Sequence, residues 1–198
     1  MIAPLPQASL MLETKRLWIS PLTIDDVELS TALLCDPDVM KYVSDPMTPD
    51  AVRQEMPLVT RRAAGGRFGI WVARHKGAAE GFATCVLTPV PIDDDDVDWD
   101  AMDMARYPDG QIEVGYLLRR EAWGQGFATE ICARLLQFAF EQTHLTQVVA
   151  TTDPDNRRSQ AVLEKCGMQP IGLRRAYGWD DVSWFVLSKE RWQNRRTG

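Results

Sequence analysis

The order of hydrophobic and polar positions along the chain predicts helices and strands that alternate from one end to the other. The clearest helix spans residues 128–143, because Ile131, Leu135 and Phe138 recur at helical spacing and form an apolar stripe. Capping residues and glycine stops predict further helices at residues 23–34, 48–64 and 157–166, with a broken helical stretch at 39–43. Short apolar or alternating runs predict strands at residues 17–22, 68–74, 81–87, 112–118, 147–151, 168–174 and 182–187. This order predicts a mixed α/β sheet with helices on both faces.

The length of the chain favours a single domain. A chain of 198 residues that is 45% hydrophobic can bury one sizeable core. We therefore predict one domain over residues 1–198, with a core from about residue 12 to about residue 192. The inserted segment, residues 89–110, contains several prolines and a dense run of aspartates, which predicts an extended surface loop between two strands.

The charge balance and the cysteines narrow the possible partners. A net charge of −6 and a pI of about 5.0 argue against the basic surface that nucleic-acid binding needs. We expect no membrane partner and a cytoplasmic location, because no apolar run is long enough to span a bilayer and no signal peptide is recognisable. The four cysteines lie in apolar stretches, which predicts buried, reduced thiols. His75 and His144 lack partners at ligand spacing, which predicts surface positions for both and no metal site.

The glycine loop, residues 123–128, carries the sharpest chemical signal. Gly124 and Gly126 allow the backbone to turn tightly and to approach a ligand closely. The free N–H groups and the positive dipole end of the following helix favour a bound phosphate. A Rossmann motif is excluded because Thr129 stands where the third glycine would be, and the Gly-Lys-Ser/Thr ending of a P-loop is absent. The loop is a phosphate cradle of another kind or an ordinary strand-to-helix turn.

Two sequence blocks resemble the GNAT superfamily of acetyl-CoA-dependent N-acetyltransferases. Glu113-Val-Gly-Tyr-Leu-Leu, followed by Trp123-Gly-Gln-Gly-Phe-Ala-Thr-Glu, is similar to motif A of that superfamily. Asn156-Arg-Arg-Ser, with residues 162–168, is similar to its next conserved block. Trp123 and the serine three residues after Asn156 resemble the RimJ/RimL branch, and the similarity runs from about residue 12 to about residue 192.

The resemblance implies a twisted, mostly antiparallel sheet and acetyl-CoA as the co-substrate. It implies transfer of the acetyl group, by direct attack, to a primary amine that is either a protein N-terminus or a small molecule. It places the pyrophosphate on the backbone amides of residues 125–129, and the pantetheine arm where the strand 113–118 splays from the strand 147–151. The implied cofactor contacts are Tyr116, Leu117, Leu118, Trp123, Gly124, Gln125, Gly126, Phe127, Ala128, Thr129, Asn156 and Ser159. For Asn156, a helix N-cap is the alternative role.

Two residues are predicted to carry the chemistry. Glu113 is the candidate base, because an ammonium must lose a proton before it can attack and burial would raise the pKa of this carboxylate. A structural ion pair with an arginine is the alternative for Glu113. Many members of the superfamily use a tyrosine to protonate the departing thiolate, but Leu163 stands at that position here. Ser159 is the candidate replacement donor, with local helix contacts as its alternative role.

Some functional questions stay open at the level of sequence. The aspartates of the inserted segment do not fit the EF-hand frame, so they indicate a solvated loop or a surface that attracts a cationic acceptor. An acyl-CoA-binding module without catalysis is the second functional hypothesis, and an unrelated nucleotide-binding protein is the third. Both a monomer and a homodimer are compatible with the sequence.

Overall fold

Eight strands form one mixed sheet in the computed structural model, which describes residues 2–197. In sheet order they are β1 (Leu12–Glu13), β2 (Leu17–Pro21), β3 (Gly69–His75), β4 (Gly81–Pro89), β5 (Ile112–Leu118), β6 (Gln147–Thr152), β8 (Trp179–Ser188) and β7 (Gln169–Ala176). Neighbouring strands are antiparallel except for β5 and β6, which run parallel. The mostly antiparallel sheet that the resemblance implied is therefore confirmed.

Helices cover both faces of this sheet, as the sequence predicted. They are α1 (Gln7–Leu10), α2 (Val27–Leu34), α3 (Pro37–Met40), α4 (Pro49–Val59), α5 (Phe127–Gln142), α6 (Arg157–Lys165) and α7 (Lys189–Thr197). Alternation along β3 separates the two layers, since Trp71 and Ala73 join the core under α5, whereas Val72 joins the core under α2 and α4. In the first of these cores Phe138 of α5 lies edge-on to Trp71, with 5.6 Å between the ring centroids.

Three short or polar elements were not predicted. Strand β1 has two residues and α1 has four, which is too short for a hydrophobic period to be recognised. Helix α7 is almost entirely polar and packs mainly through Trp192, so its sequence carries no apolar stripe. Helix α4 is shorter than predicted. It ends at Val59, where the hydroxyl of Thr60 donates back to the carbonyl of Met56 over 3.0 Å, and the positive φ angles of Ala64, Gly65 and Gly66 exclude a right-handed helix at the predicted end.

The inserted segment is better packed than a solvated loop. Its acidic side chains are largely exposed, but Val90, Val97 and Met102 are buried. Its backbone also closes on the residues after α4, since the N–H of Gly65 donates to the carbonyl of Met104 over 2.7 Å. The prediction of a plain surface loop is therefore wrong for the apolar half of the segment. One side of it is anchored to the domain and the other carries the negative charge.

The predictions for single cysteines and histidines hold only in part. All four cysteines carry free thiols, but only Cys85 and Cys132 are buried, while the other two are half-buried. His144 is exposed as predicted. His75 is not a surface residue, because its ring stacks on Phe82 with 4.3 Å between centroids. None of the helices within residues 2–197 is long and apolar enough to cross a membrane.

The parallel pair of strands creates the opening that positions the site. Within the described residues, the β5–β6 ladder consists of one pairing, Glu113 with Val149, whereas β6 pairs with β8 over six positions. The strands thus separate beyond Glu113 toward their carboxyl ends. Polar backbone groups on the inner edges of both strands are consequently available to a ligand that lies between them.

Candidate functional site

The glycine loop leads from the end of β5 to the start of α5. A short 3₁₀ turn at Arg120–Ala122 precedes it, and Gly124 and Gly126 adopt φ angles of 73° and 79°. Such left-handed angles favour glycine, which explains why the sequence has it at both positions. No side chain in the described part of the chain caps the first turn of α5, so the amides of Phe127, Ala128 and Thr129 remain free to bind an anion.

Arg16, in the turn between β1 and β2, holds the loop from outside. Its guanidinium donates to the carbonyl of Gln125 over 3.0 Å and forms a 2.6 Å ion pair with Glu130 in the first turn of α5. It also lies 4.0 Å from the centre of the Phe127 ring. Thr14 adds a hydrogen bond of 2.6 Å to the same carboxylate. Arg16 was not a predicted site residue, because it lies 109 positions before Gln125 in the chain.

We expect Arg16→Ala to raise the KM for acetyl-CoA by about tenfold and to leave kcat nearly unchanged. The reason is that the loop loses its charged clamp, whereas the reacting groups are untouched. Steady-state kinetics with acetyl-CoA as the varied substrate measures the effect. Lys76→Ala is the matched control, because it removes a nearby positive charge that pairs with Glu13 and not with the loop. Equal KM changes in both variants would contradict the clamp.

Trp123 closes the loop against the strand that precedes it. Its indole N–H donates to the carbonyl of Leu118 over 2.9 Å, and the guanidinium of Arg158 lies 5.7 Å from its ring centre. The carbonyl of Leu118 is therefore already engaged by the protein. Trp123 therefore has a structural role, and the contact with the cofactor that the resemblance implies for it stays a prediction.

Helix α6 brings two hydroxyl groups together on the α5 side of β5. Asn156 caps the helix, because its side-chain oxygen accepts from the N–H of Ser159 over 3.1 Å. The hydroxyl oxygens of Ser159 and Tyr116 lie 3.2 Å apart. Leu163, one turn further on, is buried and provides no polar group. The structure thus shows the N-cap role of Asn156 and places a second hydroxyl, that of Tyr116, beside Ser159.

Glu113 lies on the opposite face of β5, at the point where the strands part. Its side chain is only 4% exposed, and burial raises its pKa to about 7. One carboxylate oxygen accepts from the hydroxyl of Tyr177, and the other accepts from the hydroxyl of Thr151 over 2.9 Å. In the described part of the chain its partners are hydroxyls and not an arginine, so the alternative of an ion pair is wrong.

Tyr177 belongs to the turn between β7 and β8. Trp179, at the tip of the same hairpin, is 69% exposed. Burial and the nearby charges of Glu113 and Asp96 raise the pKa of Tyr177, so its phenol stays protonated. Neither Tyr177 nor Thr151 was a predicted site residue, because their contacts with Glu113 span 64 and 38 positions of the chain.

The sequence matches one protein family and several individual proteins. Residues 16–169 match the family described as an acetyltransferase (GNAT) domain. An FsC-acetyl coenzyme A-N(2)-transacetylase from Aspergillus fumigatus is 31% identical over 163 residues, which is 81% of this chain and 65% of that protein. An uncharacterized N-acetyltransferase, p20, from Bacillus licheniformis is 28% identical over 171 residues, which is 84% of this chain and 86% of that protein.

Solved structures share the fold at low sequence identity. An acetyltransferase from Agrobacterium tumefaciens superimposes with a TM-score of 0.72 at 20% identity, covering 94% of this chain and 96% of its own. RimL, a ribosomal L7/L12 alpha-N-protein acetyltransferase in complex with coenzyme A, gives a TM-score of 0.68 at 13% identity, covering 90% of this chain and 97% of its own. These identities support a common fold and leave the acceptor open.

Proposed function

The chain belongs to the GNAT acetyltransferase family, and we propose that it transfers an acetyl group from acetyl-CoA to a primary amine. The observation that carries this proposal is the arrangement along β5. Glu113 stands where β5 and β6 part, and the glycine loop begins after the far end of the same strand. From Glu113 to Leu118 the strand runs for about 17 Å, which gives the pantetheine arm an edge to lie along.

The residues present fit acetyl-CoA. The amides at the start of α5 would bind the pyrophosphate, and the left-handed backbone at Gly124 and Gly126 lets these amides converge. The parted edges of β5 and β6 would hydrogen-bond the arm. Acetyl-CoA bound in this way would supply its thioester carbonyl as the electrophile.

In this proposal Glu113 is the base and Ser159 is the donor to the leaving group. The acceptor arrives as an ammonium, which has no lone pair until a proton is removed. A carboxylate with a pKa near 7 can take that proton at neutral pH. The amine then attacks the thioester carbonyl and a tetrahedral intermediate forms. As the C–S bond breaks, the nitrogen releases its second proton, which ends on the departing sulfur, so the products are an amide and the thiol of CoA. The hydroxyl of Ser159 stabilises the departing thiolate through a hydrogen bond.

We expect Ser159→Ala to lower kcat by about 100-fold while the KM for acetyl-CoA changes little. The reason is that the hydroxyl acts when negative charge develops on sulfur, and the helix cap survives since Asn156 accepts from a backbone N–H. Thermal unfolding of the variant with and without CoA checks that the fold and cofactor binding are intact. An unchanged kcat would remove Ser159 from the mechanism.

The acceptor we propose is a cationic amine, either a protein N-terminus in a basic peptide or a small polyamine. The inserted segment contacts the turn that holds Tyr177 against Glu113, since Pro91 accepts from the N–H of Tyr177 and Asp93 pairs with Arg175, so its acidic side lies near the proposed base. Negative potential there would draw a cationic amine toward Glu113. Such attraction weakens with added salt, because the Debye length falls.

A thiol-release assay with acetyl-CoA and a panel of amines tests the function. Basic peptides, polyamines, amino acids and aminoglycosides are compared at low and high ionic strength. Release of CoA with at least one amine, and a KM for cationic amines that rises with salt, are the expected results. Stabilisation by CoA without thiol release from any amine would favour the non-catalytic binding module instead. Stabilisation by ATP or NAD and not by CoA would overturn both.

A further inference from the structure

The proposed base is closed off by two hydroxyl groups. Glu113 is nearly fully buried, and each of its carboxylate oxygens already accepts a hydrogen bond, one from Tyr177 and one from Thr151. Little of the carboxylate is therefore accessible to an acceptor amine, and the hydroxyls bonded to it offer a path along which a proton can reach it.

The two hydroxyls lie in different surroundings. Thr151 lies in β6, in the interior of the sheet, where it pairs with Trp184 of the neighbouring strand. Tyr177 lies at the end of β7 in a turn, where the chain reverses into β8. Tyr177 is half-buried and lies between the buried Ala176 and the exposed Gly178, so its turn borders on solvent, whereas Thr151 belongs to a strand that is paired with β8.

The backbone of Tyr177 is held in a conformation that a tyrosine rarely adopts. Its φ angle of 54° lies in the left-handed region, which is strained for a residue with a side chain. The inserted segment stabilises this turn, since the N–H of Tyr177 donates to the carbonyl of Pro91 over 2.9 Å. Gly178 donates to Ile92 over 3.2 Å, and Arg175 forms a 2.9 Å ion pair with Asp93. Three contacts from the inserted segment thus hold the turn that places this phenol against Glu113.

We propose that Tyr177 is a catalytic residue that relays the proton from the acceptor ammonium to Glu113. The inference rests on the proposed function, because it assumes Glu113 as the base. In the step, the phenol oxygen accepts a proton from the ammonium as its own proton moves to the carboxylate. One N–H bond and one O–H bond break, two O–H bonds form, and Tyr177 ends as it began. A hydroxyl can do this because it both donates and accepts.

The relay also gives the inserted segment a role. The carbonyls of Pro91 and Ile92 and the carboxylate of Asp93 fix the turn that contains Tyr177. Burial, the charge of Glu113 and the charge of Asp96 all raise the pKa of Tyr177, so the phenol does not accumulate as a phenolate. The inserted segment would thus complete the acid–base machinery.

Four variants test the relay: Tyr177→Phe, Thr151→Val, Glu113→Gln and the double variant Tyr177→Phe/Glu113→Gln. We expect Tyr177→Phe and Glu113→Gln each to lower kcat by about 100-fold or more. The double variant should be no slower than the slower single variant, because both substitutions break one proton path. Thr151→Val is the comparison variant, since it also removes a hydroxyl from Glu113 but leaves the proposed proton path intact, and its loss of kcat should be at least about tenfold smaller than that of Tyr177→Phe. Stabilisation of each variant by CoA verifies that it is folded.

The outcomes separate the relay from the function on which it rests. If Glu113→Gln loses turnover and Tyr177→Phe does not, the relay is overturned and the base stands. If Thr151→Val loses as much as Tyr177→Phe, the phenol has no special role and the relay is also overturned. If Glu113→Gln keeps full turnover, the assignment of the base itself fails.

Discussion

Replacing Glu113 by glutamine is expected to lower kcat by about 100- to 10,000-fold at pH 8, the range that general base catalysis contributes. The variant keeps a side chain of the same shape, so the KM for acetyl-CoA should change little. The wild-type enzyme should also lose turnover as the pH falls below the pKa of Glu113 of about 7, because the protonated carboxyl cannot act as a base. Below that pH the loss is about tenfold per pH unit. A pH–rate profile of both proteins measures these effects.

As the pH rises, the free energy of unfolding should fall while the turnover rate rises. The pKa of Glu113 is raised from 4.5 to about 7, so the folded protein holds a proton over that interval which the unfolded chain releases. The stabilising effect of this proton is complete below pH 4.5 and is lost as the pH rises through 7. Above pH 7 the folded protein carries a buried charge at a cost of about 3 kcal/mol.

Glutamine carries no charge, so Glu113→Gln should be more stable than wild type by about 1–3 kcal/mol at pH 8 and similar to it near pH 4.5. Denaturant unfolding at the two pH values measures the difference. Ser159→Ala is a suitable control, since it alters the proposed site and does not alter a buried charge. A glutamine variant that is inactive but less stable at pH 8 would point to structural damage and not to a lost base.

Phe138→Ala is expected to destabilise the protein by about 3–5 kcal/mol, the usual cost of emptying a fully enclosed aromatic position. Phe138 is 1% exposed and its ring lies edge-on to Trp71, so the alanine would leave a cavity between α5 and β3. For a chain of this length the midpoint of thermal unfolding should fall by about 10 °C or more. Calorimetry or circular dichroism on heating measures this shift.

Phe138→Leu is the control for this prediction, because it keeps most of the volume and should cost only about 1–2 kcal/mol. The glycine loop leads directly into helix α5, which begins at Phe127. Binding of CoA to this loop should therefore recover part of the stability of the alanine variant. A loss as small as that of the leucine variant would mean that the surrounding core collapses into the space. In that case α5 would be held by other contacts.

Local sequence patterns predicted the regular elements well. The stripe of Ile131, Leu135 and Phe138 indicated α5 to within a residue at each end, since burial of one helical face leaves a period of about 3.6 residues in the sequence. The seven longer strands were predicted for the same kind of reason, from alternation or short apolar runs. The polar α7 and the two-residue β1 leave no such period, so their positions depend on tertiary contacts.

The glycine loop could likewise be recognised from sequence, because its chemistry is local. Left-handed angles at Gly124 and Gly126, followed by the uncapped start of α5, are properties of consecutive residues. The N-cap formed by Asn156 is local in the same way. In each case the residues that interact are close neighbours in the chain.

The tertiary structure alone decided which groups stand around the proposed chemistry. The contacts of Arg16 with Gln125, of Thr151 with Glu113 and of Tyr177 with Glu113 join residues 109, 38 and 64 positions apart. No local pattern predicts such pairs, because they form only when strands that are distant in sequence become neighbours in the sheet. The sequence could therefore indicate Glu113 as a candidate base. Only the fold shows that its carboxylate is buried, that burial raises its pKa, and that it accepts hydrogen bonds from two hydroxyls.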